Sequence, residues 1–124
     1  MPLDYEIDRE HRLVHSRAWG FLTDADTKAH YQGIATDPAF DPGFSLLCDL
    51  RGVTQIEAAP ATLRELARFS TFARGTRRAF VVFDDEHFGL ARMLQTFCEL
   101  EGAEVGVFRS LPAAYRMLGV PDPR

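Results

Sequence analysis

Residues 44–50 read Phe-Ser-Leu-Leu-Cys-Asp-Leu, a nearly continuous apolar run. A run of this kind is typical of a central strand that is buried on both faces. Residues 79–83, Ala-Phe-Val-Val-Phe, form a second such run. The segments around these runs carry apolar residues at helical spacing, so strands and amphipathic helices alternate along the chain. This alternation predicts an α/β fold with a mostly parallel sheet and right-handed crossovers.

The whole chain predicts the element order ββαβαβαβα, in which an N-terminal hairpin adds one antiparallel edge strand. Five strands are predicted, at residues 3–7, 13–19, 44–50, 79–83 and 105–108. Four helices are predicted to begin beside capping or first-turn residues, namely Thr23, Pro60, Asp84 or Asp85, and Ser110. The second helix is expected to turn four apolar residues inward, Leu63, Leu66, Phe69 and Ala73. We expect a single domain over residues 1–124.

The composition excludes several classes of protein. Thirteen arginines and one lysine stand against 18 acidic residues, and a formal net charge of -4 does not indicate a nucleic-acid binder. The acidic start, with Asp4, Glu6 and Asp8, is unlike a signal peptide, and no apolar run approaches the ~20 residues that cross a bilayer. Cys48 and Cys98 lie in apolar runs, which predicts buried free thiols. We expect a cytoplasmic protein with no membrane span and no cofactor.

The enzyme-like feature of the sequence is a pair of acids. Asp49 and Asp84, with its neighbour Asp85, follow apolar runs, and ligands bind beyond the carboxyl ends of parallel strands. Two such acids side by side can hold Mg²⁺. The alternative is that Asp49 accepts hydrogen bonds from the following turn and that Asp84 or Asp85 caps a helix. Because the common nucleotide-binding and nucleophile motifs are absent, the sequence favours this alternative and a protein that is not an enzyme.

The histidines do not predict a metal site. His11 and His15 would lie about 13 Å apart along a strand, which is too far for both to bind one ion. His30 and His87 fall singly on predicted helices, where we expect solvated or capping side chains.

Two further groups of residues allow a binding function. Five arginines fall between positions 64 and 78, namely Arg64, Arg68, Arg74, Arg77 and Arg78. They can bind an anionic partner through paired hydrogen bonds. Alternatively, they only interact favourably with the dipole at helix C-termini, in a chain that has arginine where other proteins have lysine. Phenylalanine occurs ten times, including Phe40, Phe44, Phe69, Phe72, Phe88 and Phe97. These rings can line a ligand cavity or pack as ordinary core.

Residues 45–59 resemble the signature of STAS domains, the family of bacterial anti-anti-sigma factors. In that family an apolar strand ends in Asp-Leu, a turn with Val-Thr follows, and Asp-Ser-Ser-Gly begins a helix. Here the corresponding residues are Asp49-Leu50, Val53-Thr54 and Glu57-Ala58-Ala59. Residues 20–22, Gly-Phe-Leu, resemble the family's Gly-x-Leu. Residues 41–44 (Asp-Pro-Gly-Phe) and 88–93 (Phe-Gly-Leu-Ala-Arg-Met) resemble the SpoIIAA-like branch, which is grouped with CRAL-TRIO lipid-transfer folds.

The sequence departs from the family at the regulatory serine. A partner kinase phosphorylates that serine, and the added negative charge breaks the partner interface. Ala58 occupies the matching position and has no hydroxyl, so this switch cannot operate there. Thr54 is a nearby hydroxyl in the expected turn, but no motif supports it. Glu57 matches the family's Asp, either as a fixed charge beside the site or as a favourable charge at the helix N-terminus.

The resemblance implies a non-enzymatic interaction module that lacks the phosphorylatable serine. Its surface would lie at residues 54–63 and would bind a protein partner or a second copy in a homodimer. The candidate surface residues are Asp49, Thr54, Glu57, Ala58 and Arg64. The alternative is a domain that binds a small apolar molecule or lipid, which the phenylalanines and the CRAL-TRIO kinship favour.

Overall fold

The computed structural model describes residues 2–57 and 59–122, and its five-stranded sheet confirms the predicted fold class. The strands are β1 (Leu3–Asp8), β2 (Leu13–Leu22), β3 (Ser45–Ile56), β4 (Arg77–Val81) and β5 (Glu104–Phe108). The helices are α1 (Asp24–Thr36), α2 (Pro60–Arg68), α3 (Asp85–Leu100) and α4 (Leu111–Leu118). The strand order in space follows the order in the chain. β1 is antiparallel to β2, and the other neighbours are parallel.

Strand β3 forms the middle of the core. Leu46 and Cys48 belong to the apolar cluster that α1, α2 and α3 cover, whereas Leu47 belongs to the cluster beneath α4. Side chains alternate along a strand, so helices on both faces require an uninterrupted apolar run. The prediction of a central strand buried on both faces, made from the apolar run at residues 44–50, is therefore confirmed. One face of the sheet carries three helices, and the other carries α4.

The helix boundaries follow from local hydrogen bonds. Thr23 and Asp26 form a reciprocal capping box at the start of α1. Asp84, and not Asp85, caps α3 by accepting a 2.8 Å hydrogen bond from the amide of His87. Ser110 caps α4, which ends at Gly119 in the left-handed conformation that glycine adopts without strain.

Strands β2 and β3 continue beyond their other neighbours as a two-stranded segment, which we call the β2–β3 arm (residues 19–22 and 52–56). β1 pairs with β2 only as far as Ala18, and β4 pairs with β3 only as far as Asp49. The resemblance to STAS domains implies a turn with Val53 and Thr54 here. In the structure Gly52 instead allows close approach, since a Cβ atom there would lie 3.2 Å from the carbonyl oxygen of Ala18. Thr54 is therefore in a strand, and the prediction of a turn is wrong.

Two other predicted boundaries are wrong. Helix α2 ends at Arg68, and Phe69, expected inside, is 76% exposed. Phe72 fills the core instead, with its ring edge-on to Phe40 at a centroid distance of 5.2 Å. Ala73 is exposed. Strand β4 ends at Val81, so Phe83 lies outside the strand and is 73% exposed.

Replacing Leu47 tests the role of β3. Leu47 is completely buried, so we expect Leu47→Ala to lower the free energy of unfolding by about 2–5 kcal/mol through lost burial and the cavity it leaves. Leu100→Ala is the matched control, because the same truncation at this exposed site should change stability by less than about 0.5 kcal/mol. Urea unfolding measures both. Equal losses in the two variants would contradict the central position of β3.

Candidate functional site

The acid pair is engaged within the protein. Asp49 binds Arg51 through two side-chain hydrogen bonds of 2.9 Å and also accepts from the Arg51 amide at 3.1 Å. Burial raises the pKa of the Asp49 carboxyl, but the bonds from Arg51 outweigh this, and its pKa is lowered overall. Asp84 is the cap of α3, and Asp85 forms an ion pair with Arg109. The cap at Asp84 matches the structural alternative that the sequence allowed. Asp49 also accepts a hydrogen bond from a following amide, but that amide belongs to β3 and not to a turn.

Two histidines that were expected in solvent are buried. The ring of His30 lies in the core with its Nε2 2.8 Å from the hydroxyl oxygen of Ser16. Ser16 has no exposed surface and does not line the cavity described below, so this pair is a core hydrogen bond and not an accessible nucleophile. His87 is also buried. Its Nδ1 lies 3.4 Å from a carboxylate oxygen of Asp84, without the alignment of a hydrogen bond.

A cavity of about 120 Å³ lies between the sheet and helices α1, α2 and α3. Apolar side chains from both layers form most of its wall, among them Leu46, Phe80, Leu63, Leu66, Ala91 and Leu94. The exposed side chains of Glu57 and Phe69 also belong to the lining, so the cavity reaches the surface beside α2. The lining includes Phe69 and Phe72 of the six phenylalanines singled out in the sequence. Aliphatic residues contribute more of the wall.

The cavity wall contains a few polar groups. Tyr31, Cys48 and Cys98 all line it. Burial raises the pKa of the Tyr31 hydroxyl, of the Cys98 thiol and of the Cys48 thiol, the last to about 12. All three groups are therefore neutral at physiological pH. Both cysteines are free and buried, as predicted.

The cavity mouth includes part of the predicted interaction surface. Glu57 accepts a 3.4 Å hydrogen bond from the amide of Asp24, so its charge faces the N-terminus of α1, although the sequence allowed a role at α2. Thr62 donates a 3.1 Å hydrogen bond to the Asp24 carboxylate and thereby joins α2 to α1. Asp24, Glu57 and Thr62 all line the cavity. We call these three residues the rim.

The other predicted surface residues are spread over the molecule. Thr54 is exposed on the β2–β3 arm. Arg64 lies on the outer side of α2 and stacks on Phe97 of α3, 5.3 Å from the ring centroid. Asp49 shares the α4 face of the sheet with Leu47, because side chains alternate along β3. Ala58, the position of the missing serine, lies outside the described residues.

The arginine cluster separates into different environments. Arg77 pairs with Glu104 at 3.2 Å, and Arg68 stacks on its neighbour Phe69. Arg78 is buried in the cavity wall. The buried position of Arg78 was not predicted, because all five arginines were expected at the surface. The sequence did contain a signal for this burial. Arg78 and Phe80 are two residues apart on one strand, so their side chains face the same side of the sheet.

One cluster with metal-ligand character lies in the β1–β2 turn. Within the described residues, Asp8, Glu10 and His11 are the group whose ligand atoms all fall within 4.8 Å of one another. A 2.6 Å contact joins His11 to Asp8, raising the pKa of the imidazole and lowering that of the carboxyl. This group was not predicted, because the sequence spacing considered for His11 was that to His15. The cluster is a feature of the turn, in which Asp8 and His11 satisfy one another.

Comparison with known proteins identifies the fold. The structure is similar to the crystal structure of an uncharacterised protein of the DUF3478 family from Shewanella loihica PV-4, which has a SpoIIAA-like fold. The two chains are 18% identical, with a TM-score of 0.65, and the match covers 94% of this chain and 93% of the other. The fold is therefore SpoIIAA-like, as the resemblance to STAS domains predicts. No family model and no curated protein matches the sequence. None of the described helices has the length and apolar character that crossing a bilayer requires.

The buried histidines predict a stability that falls with acid. Burial lowers the pKa of His30 and of His15 below the ordinary value of 6.5. Below that pH the unfolded chain binds protons that the folded chain does not, so stability decreases as the pH falls from 6.5 toward the folded pKa values. We expect a lower urea midpoint at pH 5.5 than at pH 7.5, and a smaller difference in His30→Gln.

His11 provides a control for this measurement, because its pKa is shifted in the opposite direction. Its pKa is raised in the folded protein, so its contribution to stability is present at low pH and is lost as the pH rises through the folded value. His11→Gln should therefore leave the acid loss intact or make it steeper. An unchanged pH dependence in His30→Gln would show that His30 is not buried as a neutral ring.

Proposed function

We propose that this protein is a non-enzymatic binding module whose ligand is a small apolar molecule held in the cavity beneath α1, α2 and α3. The cavity itself carries the proposal. The accessible surface of its wall is mostly apolar, with polar groups at defined positions, which is the usual make-up of a small-molecule site. The acids that could act as catalytic groups are occupied by Arg51, by a helix cap and by Arg109.

The size of the cavity defines the class of ligand. An apolar cavity of about 150 Å³ in another protein binds benzene and stays dry when empty. The present cavity of about 120 Å³ is of the same order, so it accommodates one aromatic ring or a short alkyl chain. A full-length lipid does not fit inside this volume, so part of its chain would have to extend through the mouth beside Glu57 and Phe69. This volume favours small molecules over long lipids.

Titration with benzene tests the proposal directly. We expect benzene to shift the NMR signals of amides in the cavity wall, with an affinity near the millimolar range that burial of one ring supports. Ala91 lies in the wall and is buried, so Ala91→Leu should fill part of the space and weaken binding by at least tenfold. Ala35→Leu, at an exposed site on α1, is the matched control and should bind as the unmodified protein does.

The outcome of this titration is decisive. Shifts scattered over the surface, or equal binding by the two alanine variants, would contradict a binding site in the cavity. Circular dichroism establishes that Ala91→Leu remains folded, because overpacking a core typically costs about 1–3 kcal/mol.

A second candidate function is a protein-interaction module that self-associates through the β2–β3 arm. The arm supports this because β3 has no paired neighbour on its β4 side beyond Asp49 in the described sheet. Unpaired strand edges accept another strand. Trp19 and Phe21 add exposed apolar surface to the same arm, at 41% and 48% exposure. The arm also contains Thr54 and leads into the rim at Glu57.

Sedimentation analysis over a range of concentrations tests self-association. We expect a monomer–dimer equilibrium that Phe21→Ser shifts toward monomer by at least tenfold. Leu100→Ser is the control, because Leu100 is exposed but lies on α3. Glu57→Arg and Arg64→Glu test the remainder of the predicted surface in the same assay. A protein that stays monomeric at every concentration, or equal effects of the two serine variants, would contradict this candidate.

A further inference from the structure

A buried arginine forms part of the cavity wall. Arg78 is the second residue of β4, and only 6% of it is exposed. It lies on the cavity face of the sheet together with Phe80. A guanidinium group carries a positive charge in proteins. The largely apolar cavity therefore has a positive charge in its wall, while the acidic side chains of Asp24 and Glu57 lie at its mouth.

The described part of the protein does not neutralise this charge. No aspartate or glutamate in residues 2–57 and 59–122 forms an ion pair with Arg78. Its Nη2 donates to the carbonyl oxygens of Phe72 at 3.2 Å and Ala73 at 3.4 Å, and its Nη1 contacts the sulfur of Cys98 at 3.7 Å. Nε has no hydrogen-bond partner among the described atoms. Carbonyl groups and a neutral sulfur accept hydrogen bonds but carry no net charge.

The weakly acidic neighbours do not supply the missing anion. Burial raises the pKa of the Cys98 thiol, and the nearby guanidinium opposes this only in part. The pKa values of Cys48 and Tyr31 are raised as well. A neutral hydrogen-bond partner would leave the charge unpaired. Burial of an ion without a counter-charge is strongly unfavourable, so a bound anion would remove an existing penalty.

We propose that the cavity ligand is a small carboxylic acid with an apolar body, and that the guanidinium charge of Arg78 binds its carboxylate. This inference rests on the proposed function and adds the chemical class of the ligand. The apolar body would contact the aliphatic wall from α2 and α3, and the carboxylate would lie at the β4 end of the cavity. A charge-assisted hydrogen bond in a water-poor site is among the stronger polar contacts in proteins.

The test compares two ligands of nearly equal shape, phenylacetate and 2-phenylethanol. Calorimetric or NMR titration at pH 7 should show that the unmodified protein binds phenylacetate at least tenfold more tightly than the alcohol. In Arg78→Met the preference for the acid should disappear while the alcohol still binds, because the apolar wall is intact. Arg78→Lys should keep part of the preference, since the charge remains and the planar geometry is lost.

Arg77→Met is the matched control. Arg77 is the neighbouring residue on β4, but its side chain is exposed and pairs with Glu104, so its loss should leave both affinities unchanged. Equal binding of acid and alcohol by the unmodified protein would overturn the role of Arg78 and leave the cavity function standing. Failure of both ligands and of benzene to bind would instead overturn the proposed function. A preference for the acid that Arg77→Met also abolishes would show general surface attraction and would reject the specific site.

Discussion

Burial of β3 on both faces is the constraint on which the rest of the structure depends. Leu46 and Cys48 need cover from one side and Leu47 from the other, so the sheet must carry helices on both faces. Strand order then determines how the helices are distributed. Successive right-handed crossovers between adjacent parallel strands place α1, α2 and α3 on the same face. Among the described residues no strand follows α4, and this helix covers the other face.

The cavity is a consequence of this unequal distribution. Three helices share one face of a five-stranded sheet, and they approach it through leucine and alanine side chains of different lengths. The space between them is not filled completely, whereas α4 packs on the opposite face through Ala114, Tyr115 and Leu118. The fold thus contains an internal cavity without any inserted loop. The SpoIIAA-like fold and the site are separate properties, because the fold determines the layers and the particular side chains determine the space.

The sequence predicted the fold well and the site poorly, for physical reasons. Element type and order follow from period and from local capping, and residues such as Thr23 and Asp84 mark helix starts whatever the tertiary packing is. Burial of polar residues depends on packing between distant segments, so His30, His87 and Arg78 were all expected in the wrong environment. Gly52 shows the same limit. Glycine is favoured both in turns and where two strands approach closely, so the residue alone does not distinguish the two. The cavity forms where three helices pack against the sheet, so no local sequence pattern predicts it.

The sequential strand order described above also bears on how the chain assembles. Each strand pairs with the strand that precedes it, so every new segment can add to structure already formed, and few contacts must wait for a distant part of the chain. The exception is the face that α4 covers. Leu47, Ala79 and Val81 stay open to solvent until α4, which follows all five described strands in the chain, has been synthesised and has docked. During translation this apolar surface is therefore protected only after the sheet is complete, by the eight residues of α4.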